Sequence, residues 1–151
     1  VGKRRRKKRK QRKQRTSVPK KPTLADLNKL KPLLVRAAQQ VYNEWAQDEK
    51  GWDEYLGTGG ICQDVTDAFL EVLFHHDIMG VPFVPTIGEN HVWAVADLKE
   101  GAYRVDIPAE VYETGGGYSW KKKPNVVFEE DDLIIEDMGF PFRDYVEDFG
   151  I

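Results

Sequence analysis

Apolar residues recur at helical spacing from Leu24 onward: Leu24, Leu27 and Leu30, then Leu34, Ala37, Ala38, Val41 and Trp45. With Thr23 as a side-chain cap, the pattern predicts an N-terminal helical stretch. Pro32 interrupts it, and because proline is tolerated in a first turn, the run reads as two helices. A loop, "DEKGWDEYLGTGG", follows, and residues 62 to 76 then give the clearest amphipathic helix. Val65, Phe69, Val72, Leu73 and His76 form one stripe with Ala68 beside it, while Asp64, Asp67 and Glu71 can face water. Cys62 lies one turn before Val65, so the same stripe predicts a thiol directed into the packing at the head of the helix. Gly80 and Pro82 are expected to close the element.

Beyond this helix the period shortens to two. "VPFVPTI" is a short apolar run whose prolines confine it to an edge or entry position. "HVWAVADL" and "AYRVDIP" read as an antiparallel pair joined by a short turn around Lys99 to Gly101. After Asp106 come a glycine-rich loop, "ETGGGYSWKKKP", then "NVVF", the acidic "EEDD", the apolar "LIIEDM", and an aromatic-acidic end with Phe140, Phe142, Tyr145 and Phe149. The pattern leaves open whether residues 111 to 151 complete the sheet or wrap the helices. The fold class expected is α+β: N-terminal helices, a central helix bearing Cys62, and a small antiparallel sheet.

The 151 residues suffice for one sizeable core. The net charge of −2 conceals a division, because residues 1 to 25 hold 13 of the 23 basic residues and none of the 25 acidic ones, which leaves the remainder at −15. Residues 1 to 22 read as a disordered arm and 23 to 151 as one domain. The arm's cations are Lys3, Arg4, Arg5, Arg6, Lys7, Lys8, Arg9, Lys10, Arg12, Lys13 and Arg15. They suit nucleic-acid phosphates, since each neutralised phosphate releases counterion without requiring folded geometry. The arm has no interleaved aromatic residues for base stacking, so binding would be independent of sequence. A nuclear-localisation signal, an anionic membrane surface and plain solubilisation are the competing readings of the arm. Glu129, Glu130, Asp131 and Asp132 could meet it or simply face water.

A single cysteine, together with a basic run that no apolar leader follows, favours a reducing intracellular setting: cytoplasmic, nucleic-acid-associated or inside a virion. No apolar window has the length of a membrane span. The start at Val1 points to residues upstream or to processing.

A catalytic thiol needs stabilisation of its anion, a base within reach, and a group that orients the base. The helix N-terminus at Cys62 supplies N–H groups and positive dipole, and Gly59 and Gly60 permit a tight turn and close substrate approach. His91 opens one strand of the hairpin and Asp106 ends the other, so the two come close in space. Trp93 shares the strand face of His91, where it can wall a cleft or pack in the core. His75 and His76 lack metal-ligand spacing, since adjacent helical positions point about 100° apart. They suit a helix C-terminus, and neither a metal nor a cofactor is implied. "TGGGYSWKKK" lacks phosphate-loop spacing and reads as a substrate loop or an ordinary connection.

Cysteine at the head of a helix, then "HVW", then "VDIP", in that order, resembles the core of the transglutaminase-like cysteine enzymes within the wider papain-like group. The resemblance covers about residues 33 to 110. It implies Cys62 as nucleophile, His91 as general base and acid, and Asp106 as orienter, in hydrolysis or acyl transfer at the amide of a protein or peptide. Two features depart from a simple match. Asp64 and Asp67 in the first helical turns oppose the dipole's stabilisation of a thiolate. The backbone N–H of Cys62 is a natural oxyanion donor, but the second is unassigned among Gln63, Tyr55 and Trp52. Gly60 and Trp93 complete the expected cleft. A reading from another class is a non-catalytic nucleic-acid-associated or packaging protein on the same fold.

Overall fold

The computed structural model describes residues 20–47, 61–85, 91–114 and 121–148. These form a mixed α+β structure. Helix α1 spans Leu24–Lys29, α2 Lys31–Gln47, α3 Cys62–His75 and α4 Phe142–Asp148. The strands are β1 Gly80–Phe83, β2 Trp93–Leu98, β3 Gly101–Asp106, β4 Glu113–Thr114, β5 Lys121–Lys122 and β6 Ile134–Asp137.

Thr23 caps α1 as the sequence implies. Its hydroxyl accepts from the N–H of Asp26, and the Asp26 carboxylate accepts from the N–H of Thr23, so two otherwise orphaned donors are satisfied reciprocally. The chain breaks at Leu30 and restarts with Pro32 in the first turn of α2, where a missing N–H costs nothing. Leu34, Ala38, Tyr42 and Trp45 give α2 its buried face.

Four antiparallel strands form the main sheet in the order β1-β2-β3-β6. β2 and β3 pair from Ala94 opposite Val105 to Leu98 opposite Gly101, around the tight turn expected. β1 lies at an edge, where the missing N–H of Pro82 can be tolerated. β2 is central and buried on both faces, which accounts for its nearly continuous apolar run. One face, with Ala94, Ala96, Leu98 and Val105, joins Val65, Phe69 and Leu73 of α3 and the buried face of α2 in the main core. On the other face Val81, Val95 and Ala102 pack with Tyr145 of α4 and with Phe83, Trp93, Met138 and Phe142.

Small residues let α3 lie close to the sheet. A Cβ at Gly80 would stand 2.8 Å from Leu70 Cδ2 and 3.2 Å from Leu73 Cδ1. Gly80 therefore acts inside β1 and not as the end of the helix. The stop is supplied instead by Asp77, which adopts φ 60°, while Ile78 N–H returns to Leu73 O at 2.9 Å. His76 caps this end and is exposed, so it is not on the buried stripe.

The C-terminal third does two things. β6 pairs with β3 and completes the sheet, with Ile134 opposite Asp106 and Glu136 opposite Arg104. Residues 123 to 128 are strapped along α2: Tyr42 Oη donates to Lys123 O and accepts from Val126 N–H, and Gln39 bonds both Val126 O and Phe128 N–H. Glu130–Asp132 form a single 3-10 turn whose acidic side chains are mostly exposed. Among the described residues no helix is long and apolar enough to cross a membrane.

Candidate active site

Cys62 is the first residue of α3, behind a buried Ile61 that offers no side-chain cap to the helix. The Cys62 side chain is partly exposed, not sealed into the core. Asp64 and Asp67 are exposed, and water screens their opposition to negative charge at the thiol.

His91 lies two residues before β2 and not within it. Its Nε2 is 2.8 Å from Oδ2 of Asp106, the last residue of β3, and Asp106 is only 3% exposed. The Cys62 thiol interacts with the same imidazole. With Nε2 engaged by the carboxylate, Nδ1 is the nitrogen left for the thiol; it is buried and makes no hydrogen bond of ordinary geometry. Three residues far apart in the chain thus stand in the order thiol, imidazole, carboxylate. The hydrogen bond that His91 donates to Asp106, followed by the contact with Cys62, outweighs burial and holds the His91 pKa up at about 9.

Two groups that the sequence reading passed over support this arrangement. Arg104 Nη2 lies 2.6 Å from the Asp106 oxygen that holds His91, and Nη1 lies 3.1 Å from Glu136 Oε1, its cross-strand neighbour on β6. The guanidinium carbon sits 3.9 Å from the centroid of the Trp93 ring. The period of two in "RVD" was the available signal, since it places Arg104 and Asp106 on one strand face. The second group is Thr66, one turn after Cys62 and 1% exposed; its hydroxyl donates to Val92 O at 3.1 Å. That bond ties the cysteine helix to the residue next to His91.

The other expected positions divide. Trp93 does stand beside His91, with ring centroids 5.8 Å apart, and it also packs on Phe83, so it borders the imidazole while belonging to the outer apolar cluster. Gln63 is exposed in the first turn of α3. Gly59, Gly60, Tyr55, Trp52, the loop centre at 115–120 and the basic arm from Lys3 to Arg15 lie outside the described residues. His75 and His76 are exposed at the far end of α3, with His75 Nε2 3.6 Å from Glu71 Oε1. Among the described residues no three His, Cys, Asp or Glu side chains gather as a metal site.

Compared with known proteins, the chain matches no family model, no curated protein and no solved structure.

Proposed function

We propose that this protein is a thiol-dependent enzyme acting on amides, with Cys62 as nucleophile, His91 as general base and acid, and Asp106 as orienter, on a papain-like, transglutaminase-like core. The observation that carries this reading is the 2.8 Å bond between His91 and Asp106, with the Cys62 thiol on the same imidazole. His91 takes the thiol proton, and the sulfur adds to the carbonyl carbon and moves the carbonyl π pair onto oxygen. When that pair returns, the C–N bond breaks and the amine leaves with a proton from His91. Water or a second amine then attacks the thioester, giving its proton to His91; the tetrahedral intermediate collapses with cleavage of the C–S bond and release of the Cys62 sulfur, while Asp106 keeps the ring oriented.

The basic arm is a separate module in this reading, holding nucleic acid or another polyanion. Its root is fixed at the turn end of the β2–β3 hairpin: Lys21 pairs with Asp97 at 3.1 Å, Lys99 N–H donates to Pro22 O, and Leu24 N–H donates to Glu100. His91 and Asp106 lie at the opposite end of the same hairpin.

The test is the pH dependence of Cys62 alkylation by iodoacetamide in the native protein and in His91→Ala. Rapid alkylation at neutral pH that slows in the variant is expected. A thiol that stays inert until the protein unfolds would overturn the enzymatic reading and leave a polyanion-binding protein on an inactive fold.

A further inference from the structure

Two of the large apolar side chains left in water among the described residues stand at one corner of the fold. Phe74, in the last turn of α3, is 76% exposed, and Met79, just before β1, is 67% exposed. Their chain neighbours Leu73 and Ile78 are buried, so the core closes without these two.

Close contacts join this corner to the root of the basic arm. Leu70 leans on Gly80, where an added Cβ would stand 2.8 Å from Leu70 Cδ2. Phe74 is one turn further along that face of α3 and therefore overhangs the turn that leads into β1. In that turn Met79 O accepts from Asp97 N–H at 2.8 Å, and the Asp97 carboxylate pairs with Lys21 at 3.1 Å.

We propose that this corner docks the protein on an anionic lipid bilayer, with the arm's lysines and arginines on the headgroup phosphates and Phe74 and Met79 entering the boundary with the acyl chains. The inference deepens the polyanion reading of the arm, on which it rests, and is independent of the thiol chemistry. A nucleic-acid duplex offers phosphates without an apolar surface, whereas a bilayer interface offers both side by side. A single signal attaches a protein to a bilayer only marginally, and a polybasic segment combined with an apolar anchor attaches it stably. An acidic body is repelled by such a surface, so contact requires an end at which acids are already engaged. Here Asp97 is paired with Lys21, Glu100 accepts from Leu24 N–H and Glu71 faces His75. Lys20, Lys21 and Lys99 are exposed beside them; Asp77 also faces water and subtracts from this balance. The Cys62, His91 and Asp106 cluster lies at the opposite end of the hairpin, so docking leaves it clear of the lipid.

The experiment measures co-sedimentation of the full chain with vesicles of two parts phosphatidylcholine to one part phosphatidylserine and, at the same salt, its affinity for a duplex DNA of arbitrary sequence. Wild type is compared with the double variant Phe74→Ser, Met79→Ser, whose melting temperature should be unchanged because both side chains are exposed. The expected result is binding to the mixed vesicles and none to phosphatidylcholine alone. Vesicle affinity should fall about 10- to 100-fold in the double variant, with the affinity for DNA unchanged. Equal vesicle affinity in the two chains would make the bilayer one more polyanion and overturn the proposal. An equal loss on DNA would give the corner to nucleic acid, and a lipid-free wild-type dimer that the double variant dissolves would give it to a second copy; either overturns it. A full chain that binds DNA and no vesicle overturns the proposal alone, and one that binds neither overturns the reading of the arm as well.

Discussion

Arg104 and His91 hydrogen-bond the same carboxylate oxygen, Oδ2 of Asp106, at 2.6 and 2.8 Å. Asp106 is almost wholly buried, and a buried carboxylate needs such partners to remain ionised. Arg104 supplies a permanent charge, held in place by Glu136 and by the face of Trp93. It divides the acceptor capacity of Asp106 and adds a positive charge close to the imidazole. Both effects limit how far the carboxylate can raise the His91 pKa.

Replacing Arg104 by glutamine is therefore expected to raise the His91 midpoint above its value of about 9, as read from the imidazole C–H resonance in an NMR titration. The same change removes a charged donor from Asp106 and should cost about 1.5–3 kcal/mol of stability. A midpoint that instead falls toward 6.5 would mean that Asp106 turns away from His91 without Arg104, making the guanidinium a positioning group.

The raised pKa of His91 also sets a stability dependence. From an ordinary value of 6.5, folding lifts it to about 9, so the folded state binds the proton more tightly. The resulting stabilisation is fully present below pH 6.5 and is lost as pH rises through about 9. Its size is on the order of 3 kcal/mol. Asp106→Asn should remove most of it. Urea denaturation at pH 6 and pH 10 should show a wide gap between wild type and variant at the lower pH and a narrower one at the higher. A gap that widened with pH would contradict the assignment.

Thr66 offers a test of positioning apart from charge. Thr66→Val keeps the shape and leaves Val92 O without its donor, at about 1–3 kcal/mol. Alkylation of Cys62 should slow, because the segment carrying His91 is no longer pinned to the cysteine helix. The His91 midpoint should stay near 9, since Asp106 is untouched. An unchanged alkylation rate in a destabilised variant would assign Thr66 to stability alone.

These residues differ in how visible they are in the sequence. Thr23, Pro32 and the β2–β3 hairpin were legible because a cap, a first-turn proline and a period-two pair each act within a few residues. The hairpin in turn made the meeting of His91 and Asp106 legible. Arg104 was not, because a strand arginine reads as a solvated residue until β6 is placed beside it, and that pairing joins positions 32 apart. Tyr112 gave no signal in the sequence; only its unpartnered buried hydroxyl distinguishes it from Tyr42. The C-terminal segment was undecidable for a similar reason, since β6, the strap on α2 and α4 are all fixed by distant partners. His76 was misread because the helical period gives no warning that Asp77 will turn left-handed and end the helix early.

The hairpin places the root of the basic arm and the Cys62, His91 and Asp106 cluster at opposite ends. β2 and β3 are six residues long, so their ends are about 20 Å apart. The arm is rooted at the turn end and the thiol site is at the other. Deleting residues 1 to 19 keeps Lys21, Pro22 and Leu24 with their contacts to Asp97, Lys99 and Glu100, so the fold should survive with an unchanged melting temperature. Removing eleven of the chain's cations leaves an acidic body that repels phosphate. Binding to a duplex DNA of arbitrary sequence should therefore be lost, while in the full chain it should weaken linearly in log Kd against log salt. Cys62 alkylation should be the same in both chains. Loss of thiol reactivity on deletion would show that the arm reaches the far end of the hairpin and takes part in the site.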